Sequence, residues 1–134
     1  MMMSLGMFVF ELATVPYQEL QQQLAWRHAS SSRVGLRPAR QFIGPDDESV
    51  NLSGVLLPEV TGGEPSLAEL RQMGDDGLDY VLIDGAGVIY GQYVIESLNM
   101  TKSLFFQDGK ARRIEFQLAL KRVDDDVVEQ SEEV

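Results

Sequence analysis

His28 is the only imidazole in the chain, and there is no cysteine. Metal centres and nucleophile–base relays need several such donors at close spacing, so a structural or surface role is expected for His28. Asp75, Asp76, Asp79 and Asp84 bring four carboxylates close together in sequence. Acid/base catalysis by paired carboxylates also needs a pocket that drives two pKa values apart, and nothing in the local sequence supplies one. Helix-ending and turn roles fit these aspartates better. Gly85-Ala86-Gly87 follows an apolar run as a dinucleotide-binding turn would, but Tyr90 stands where a third glycine is needed and another strand-like run follows instead of a helix. A hairpin turn accounts for both glycines. The sequons Asn51-Leu52-Ser53 and Asn99-Met100-Thr101 carry no weight without a secretory signal.

The remaining cluster is basic. Arg27, Arg33, Arg37 and Arg40 lie in a stretch with no acid between Glu19 and Asp46. A phosphate-tracking surface would interleave aromatics with the bases, which this reading does not find here. Guanidinium forks suit bidentate pairing with carboxylates, so a contact with an acidic neighbour, including another copy of the chain, is expected. No catalytic, cofactor-binding or metal-binding set emerges, and the chain reads as a non-enzyme without a cofactor.

Bulk properties agree. The chain has 134 residues, 44% hydrophobic and 24% charged, the size and composition of one globular domain. The net charge of −10 is unevenly spread: Asp124, Asp125, Asp126, Glu129, Glu132 and Glu133 fall in the last eleven residues, leaving 15 acids against 11 bases before them. A body of net −4 argues against specific nucleic-acid binding, which draws on clustered bases. The apolar start lacks a basic leader and is too short to span a membrane, so a soluble protein of a reducing cytoplasm is expected. Residues 124–134 read as a flexible acidic tail behind a single domain over residues 1–123.

Short apolar runs separated by turn residues, with one helix among them, indicate a β-rich fold. Strands are expected at 7–13, at 17–29 in preference to a helix, at 41–43 and at 50–57, with residues 30–40 a polar loop. Ser66 followed by Glu69 has the form of a capping box, opening a helix with Leu67, Leu70 and Met73 on one face and ending at Gly74–Gly77. Residues 78–83 and 88–98 flank Asp84-Gly85-Ala86-Gly87 as a hairpin, and its apolar residues on both faces require cover on both sides. Ile114, Phe116, Leu118 and Leu120 alternate with polar residues, marking a last strand paired through Asp108-Gly109 with residues 103–106.

Several stretches in order, MMMSLGMFVF (1–10), SRVGLRPARQFIG (32–44), LSGVLLPEVTGG (52–63), IDGAGVIYGQYVI (83–95) and RRIEFQLALKRV (112–123), resemble the GpU family of contractile-tail bacteriophages and related prophages. The resemblance implies an α+β, β-rich fold: two packed antiparallel sheets, a tail-tube-like sandwich or barrel, with one flanking helix. It also implies a structural virion protein, assembled in the bacterial host cytoplasm, that forms a homo-hexameric ring at an end of the tail tube. The baseplate side is favoured over the head side, with tube, baseplate hub or tape-measure proteins as partners. In such a ring Arg33, Arg37, Arg40, Tyr90 and Tyr93 are the expected interface residues, and acidic groups would line the bore. The competing reading is a small-molecule-binding β-barrel with Trp26, Tyr80, Tyr90 or Tyr93 around a pocket; an enzyme ranks third.

Overall fold

The computed structural model describes residues 2–11 and 14–123; the acidic tail lies outside them. Eleven elements follow one another: β1 (Met3–Leu5), β2 (Phe8–Phe10), β3 (Glu19–Gln23), β4 (Trp26–Arg33), β5 (Leu36–Pro45), β6 (Ser49–Leu56), α1 (Pro58–Thr61), α2 (Glu64–Asp76), β7 (Asp79–Asp84), β8 (Ile89–Phe105) and β9 (Ala111–Arg122). The class is the expected β-rich α+β one, with two antiparallel sheets and a flanking helix. Seven strands form one sheet in the order β2-β1-β7-β8-β9-β6-β3, and β4 with β5 forms a two-stranded ribbon.

The alternation in β9 sets the inner face. Ile114, Phe116, Leu118 and Leu120 are buried and stand opposite Leu56, Gly54, Leu52 and Val50 of β6. Directly paired residues project to the same side, so both strands contribute one apolar surface. Met3, Leu5, Phe8, Phe10, Leu82 and Tyr93 continue it across the rest of the sheet. Helix α2 lies on this inner side: Leu67 and Leu70 are buried in the core, and Ile95 packs beside Gly74. The sheet also curls. Phe10 meets Tyr17 edge-on at 6.1 Å between ring centres, and the Gln18 amide donates to the Ser53 carbonyl, so residues 14–18 bridge from the β2 end to the β3 end.

Several expectations need correction. The first strand is two short strands folded at Gly6-Met7, where Gly6 takes φ 61°. Ser66 caps nothing: Gly63, at φ 98°, is the N-cap without a side-chain hydrogen bond, and Pro65 supplies the preset φ of the first turn. Gly77 ends the helix in the left-handed region as expected. The strands foreseen at 88–98 and 103–106 are one strand, β8. Above all, residues 30–40 are not a loop but the outer part of the β4–β5 ribbon.

Candidate subunit interface

The β4–β5 ribbon closes through Val34-Gly35, with Gly35 at φ 68°. Its ladder places His28 opposite Phe42 and Ser30 opposite Arg40, so these four share one face. His28 meets the Phe42 ring edge-on at 5.5 Å, a packing contact rather than a ligand geometry. Trp26, Leu36, Phe42 and Ile43 are all more than half exposed, and Arg27, Arg37 and Arg40 are exposed with them. Arg33 ends β4, opposite Leu36. An aromatic ring therefore does stand beside an arginine: the strand register puts Phe42 and Arg40 on one face.

Tyr90 and Tyr93 do not join this surface. Tyr93 is fully buried, so the expectation that it contacts a neighbour is corrected. Its hydroxyl donates to Glu48 Oε2 at 3.1 Å, and Arg122 Nη1 donates to the same oxygen at 2.8 Å. Burial, then the Glu48 charge and the hydrogen bond to it, push the Tyr93 phenol far above its ordinary value, with Arg122 opposing. This trio ties the start of β6 to β8 and to the end of β9. Tyr90 is the extra residue of a bulge between the Leu82–Gly91 and Ile83–Ile89 pairs, and it packs half-buried against the core.

That bulge explains why the hairpin's exposed apolar residues are not its tyrosines. It shifts the inside–outside alternation by one residue, with Gly91 at φ 127°, and leaves Val88 and Ile89 outside, Ile89 67% exposed. Reading alternation straight through Tyr90 misses them; Gly91 inside a strand was the available signal. On the outer face Ile89 adjoins Ile83, then Ser4 and Val9, while Val81 adjoins Gln92 and Asp79 adjoins Val94. Gln92 Oε1 is buried there without a hydrogen-bond partner.

The aspartates serve local structure. Asp84 Oδ1 accepts from the Ala86 and Val88 amides, fixing the β7–β8 turn, and Asp76 accepts from Gln72 Nε2. Among the described residues no three His, Cys, Asp or Glu side chains gather as a metal site would require. The inner face is packed with side chains, Tyr93, Phe10 and Phe116 the largest. A depression of about 330 Å³ is an open surface groove between Pro58, Glu59, Pro65, Phe106 and Ala111, away from Trp26, Tyr80, Tyr90 and Tyr93. The geometry required by the ligand-binding barrel is not the one observed.

A filled β-rich core and an exposed ribbon carrying arginines and apolar side chains fit a structural subunit. Comparison with known proteins makes this specific: the chain matches the Phage P2 GpU family over residues 6–125, and it belongs to that family of phage tail structural proteins. It is 31% identical over 120 residues to a "probable tape measure protein" of Halomonas phage phiHAP-1, covering 89% of this chain and 14% of that protein's length. Two solved structures share the fold at 16% identity. One, from the virion of a native gene transfer agent particle, has a TM-score of 0.59 over 92% of this chain and 90% of its own. The other, from the tail of an empty gene transfer agent particle with C6 symmetry, has a TM-score of 0.52 over 81% and 78%.

Proposed function

We propose that this protein is a virion tail component that forms a homo-hexameric ring at the baseplate end of the tail tube, where the tube starts. The observation that carries the reading is the β4–β5 ribbon, a separate two-stranded sheet that leaves aromatic, aliphatic and guanidinium groups in solvent. Exposed apolar surface of this kind marks a partner site. Membership of a tail-protein family supplies the setting, and the sixfold symmetry of the second structural neighbour supplies the ring order. Likeness to part of a probable tape measure protein suits a subunit placed where the tape measure meets the tube, and tube, hub and tape-measure proteins are the partners it would touch.

Cryo-microscopy of purified particles tests this. Six copies in one ring at the baseplate end are expected. A ring at the head end would make the protein a terminator and overturn the placement. Absence from mature tails would overturn the function.

A further inference from the structure

The charges of the fold are segregated by element. Residues 26–45, which span the ribbon, contain four arginines and no acid. Residues 1–26 and 72–101, which supply β1, β2, β3, the end of α2, β7 and most of β8, contain seven acids and no lysine or arginine; Asp79, Asp84 and Glu96 are the ones on β7 and β8. Arg71 and Lys102 border these stretches, while Lys121 pairs with Glu96 and Asp47, and Arg122 with Glu48. One molecule thus carries an arm whose charges are all basic and, on the outer face of β1, β2, β7 and the start of β8, the aliphatic residues Val9, Val81, Ile83, Ile89 and Val94 beside the Asp79 carboxylate, with α2 on the other side of the sheet.

We infer that the ribbon of one copy docks on the outer face of β1, β2, β7 and β8 of the next copy, Phe42 on Val81 and Ile83 and Arg40 on Asp79. The inference rests on the ring reading and names the two surfaces that make the ring. The spacing supports it. Arg40 and Phe42 lie one strand repeat apart on one ribbon face, and Asp79 and Val81 lie one repeat apart on the outer sheet face. A flat approach therefore sets charge against charge and ring against aliphatic side chains together. Ribbon-to-ribbon pairing is disfavoured, since it would oppose arginines to arginines. The contact is head-to-tail, the kind that closes into rings.

The absence of native cysteine makes the test clean. F42C and I83C proteins are prepared separately, mixed and treated with a short bismaleimide crosslinker. A covalent heterodimer is expected from the mixture and none from F42C alone, and F42C mixed with Q117C, on the polar outer half, should give none. Arg40→Glu in the F42C partner should lower the yield at least about tenfold, and Asp79→Arg in the I83C partner should restore it, as close interfacial charge pairs are strongly coupled. Circular dichroism of each variant confirms folding. F42C homodimers, equal yields with Q117C, or a ribbon that binds a single-stranded oligonucleotide and gives no heterodimer overturn the inference. If particles show the ring but the crosslink is absent, the ring reading stands and this pairing fails.

Discussion

Replacing Gly54 by alanine tests how the sheet is closed. Gly54 sits on β6 opposite Phe116, with residues 14–18 passing directly over it. A Cβ there would stand 2.5 Å from the Pro16 carbonyl oxygen and 3.0 Å from Phe116 Cε1. The phenylalanine ring can tilt, but the backbone oxygen moves only if the bridging segment moves. Overpacking of this kind costs about 1–3 kcal/mol. Against it stands the loss of unfolded-state freedom when glycine becomes alanine, which stabilises by about 0.4–1 kcal/mol. The steric term wins, leaving a net loss of about 1–2 kcal/mol, or roughly 3–10 °C in Tm for a chain of this length. Gly74→Ala is the matched control. Gly74 is inside α2, where a new methyl would meet Ile95 Cγ2 at an ordinary 3.5 Å, so only the helix-propensity gain of about 0.8–1 kcal/mol remains. Thermal melts followed by circular dichroism should move in opposite directions for the two variants, and the urea m-value should stay constant. A Gly54→Ala protein as stable as the wild type would refute the tight crossing of residues 14–18 over β6.

Tyr93→Phe should cost about 1.5–3 kcal/mol at neutral pH, the worth of one hydrogen bond to the charged Glu48, with the Glu48–Arg122 pair retained. The fold holds the Tyr93 phenol protonated, so that contribution is complete below the unfolded-state pKa near 10 and is lost as pH rises above it. Urea midpoints should therefore fall less steeply above about pH 10 in the variant than in the wild type; Tyr17 and Tyr80, also raised by burial, keep part of the slope. Equal alkaline slopes would remove Tyr93 from the account. Asp84→Ala, which deprives two turn amides of their acceptor, should destabilise by about 1 kcal/mol. Asp75→Ala, at the negative end of the α2 dipole, should be neutral or slightly stabilising in the same chemical melts.

The elements legible in the sequence were those whose pattern meets a buried face. β9 and β6 show their alternation because one side of each fills the core, and Leu67 and Leu70 show the helix for the same reason. The strands expected at 17–29 and 41–43 take in the inner ends of the ribbon, but its outer part was missed because its described side chains are exposed: they follow no two-residue period that a core would enforce, so residues 30–40 look like loop. The capping box misled in another way. Gly62-Gly63 and Pro65 start α2 before Ser66 can act as its cap, and a motif was overridden by backbone geometry two residues upstream. Of the expected interface residues, Arg37 and Arg40 are on an exposed surface and Arg33 is at the ribbon's end. Tyr93 belongs to the core, and the bulge at Tyr90 turned the hairpin's outward apolar positions over to Val88 and Ile89.

The segregation of charge bears on how such a subunit stays soluble before it assembles. The seven-stranded sheet ends in β2 and β3, and a free strand edge invites pairing with any other chain. Residues 14–18 tie the start of β3 to β6 through the Gln18–Ser53 hydrogen bond, while the net charge of −10 makes copies repel at long range. The ribbon feels that repulsion least, being the longest stretch in which bases stand without acids. An approaching copy is thus attracted through its ribbon and repelled elsewhere, so a single orientation is selected before any apolar contact forms. The same logic makes assembly sensitive to salt: screening the ribbon's charge at high ionic strength removes the steering, while Val81, Ile83 and Phe42 remain apolar. Assembly that slows with added salt, with little change in the stability of the formed ring, is the signature of that division between electrostatic guidance and apolar adhesion.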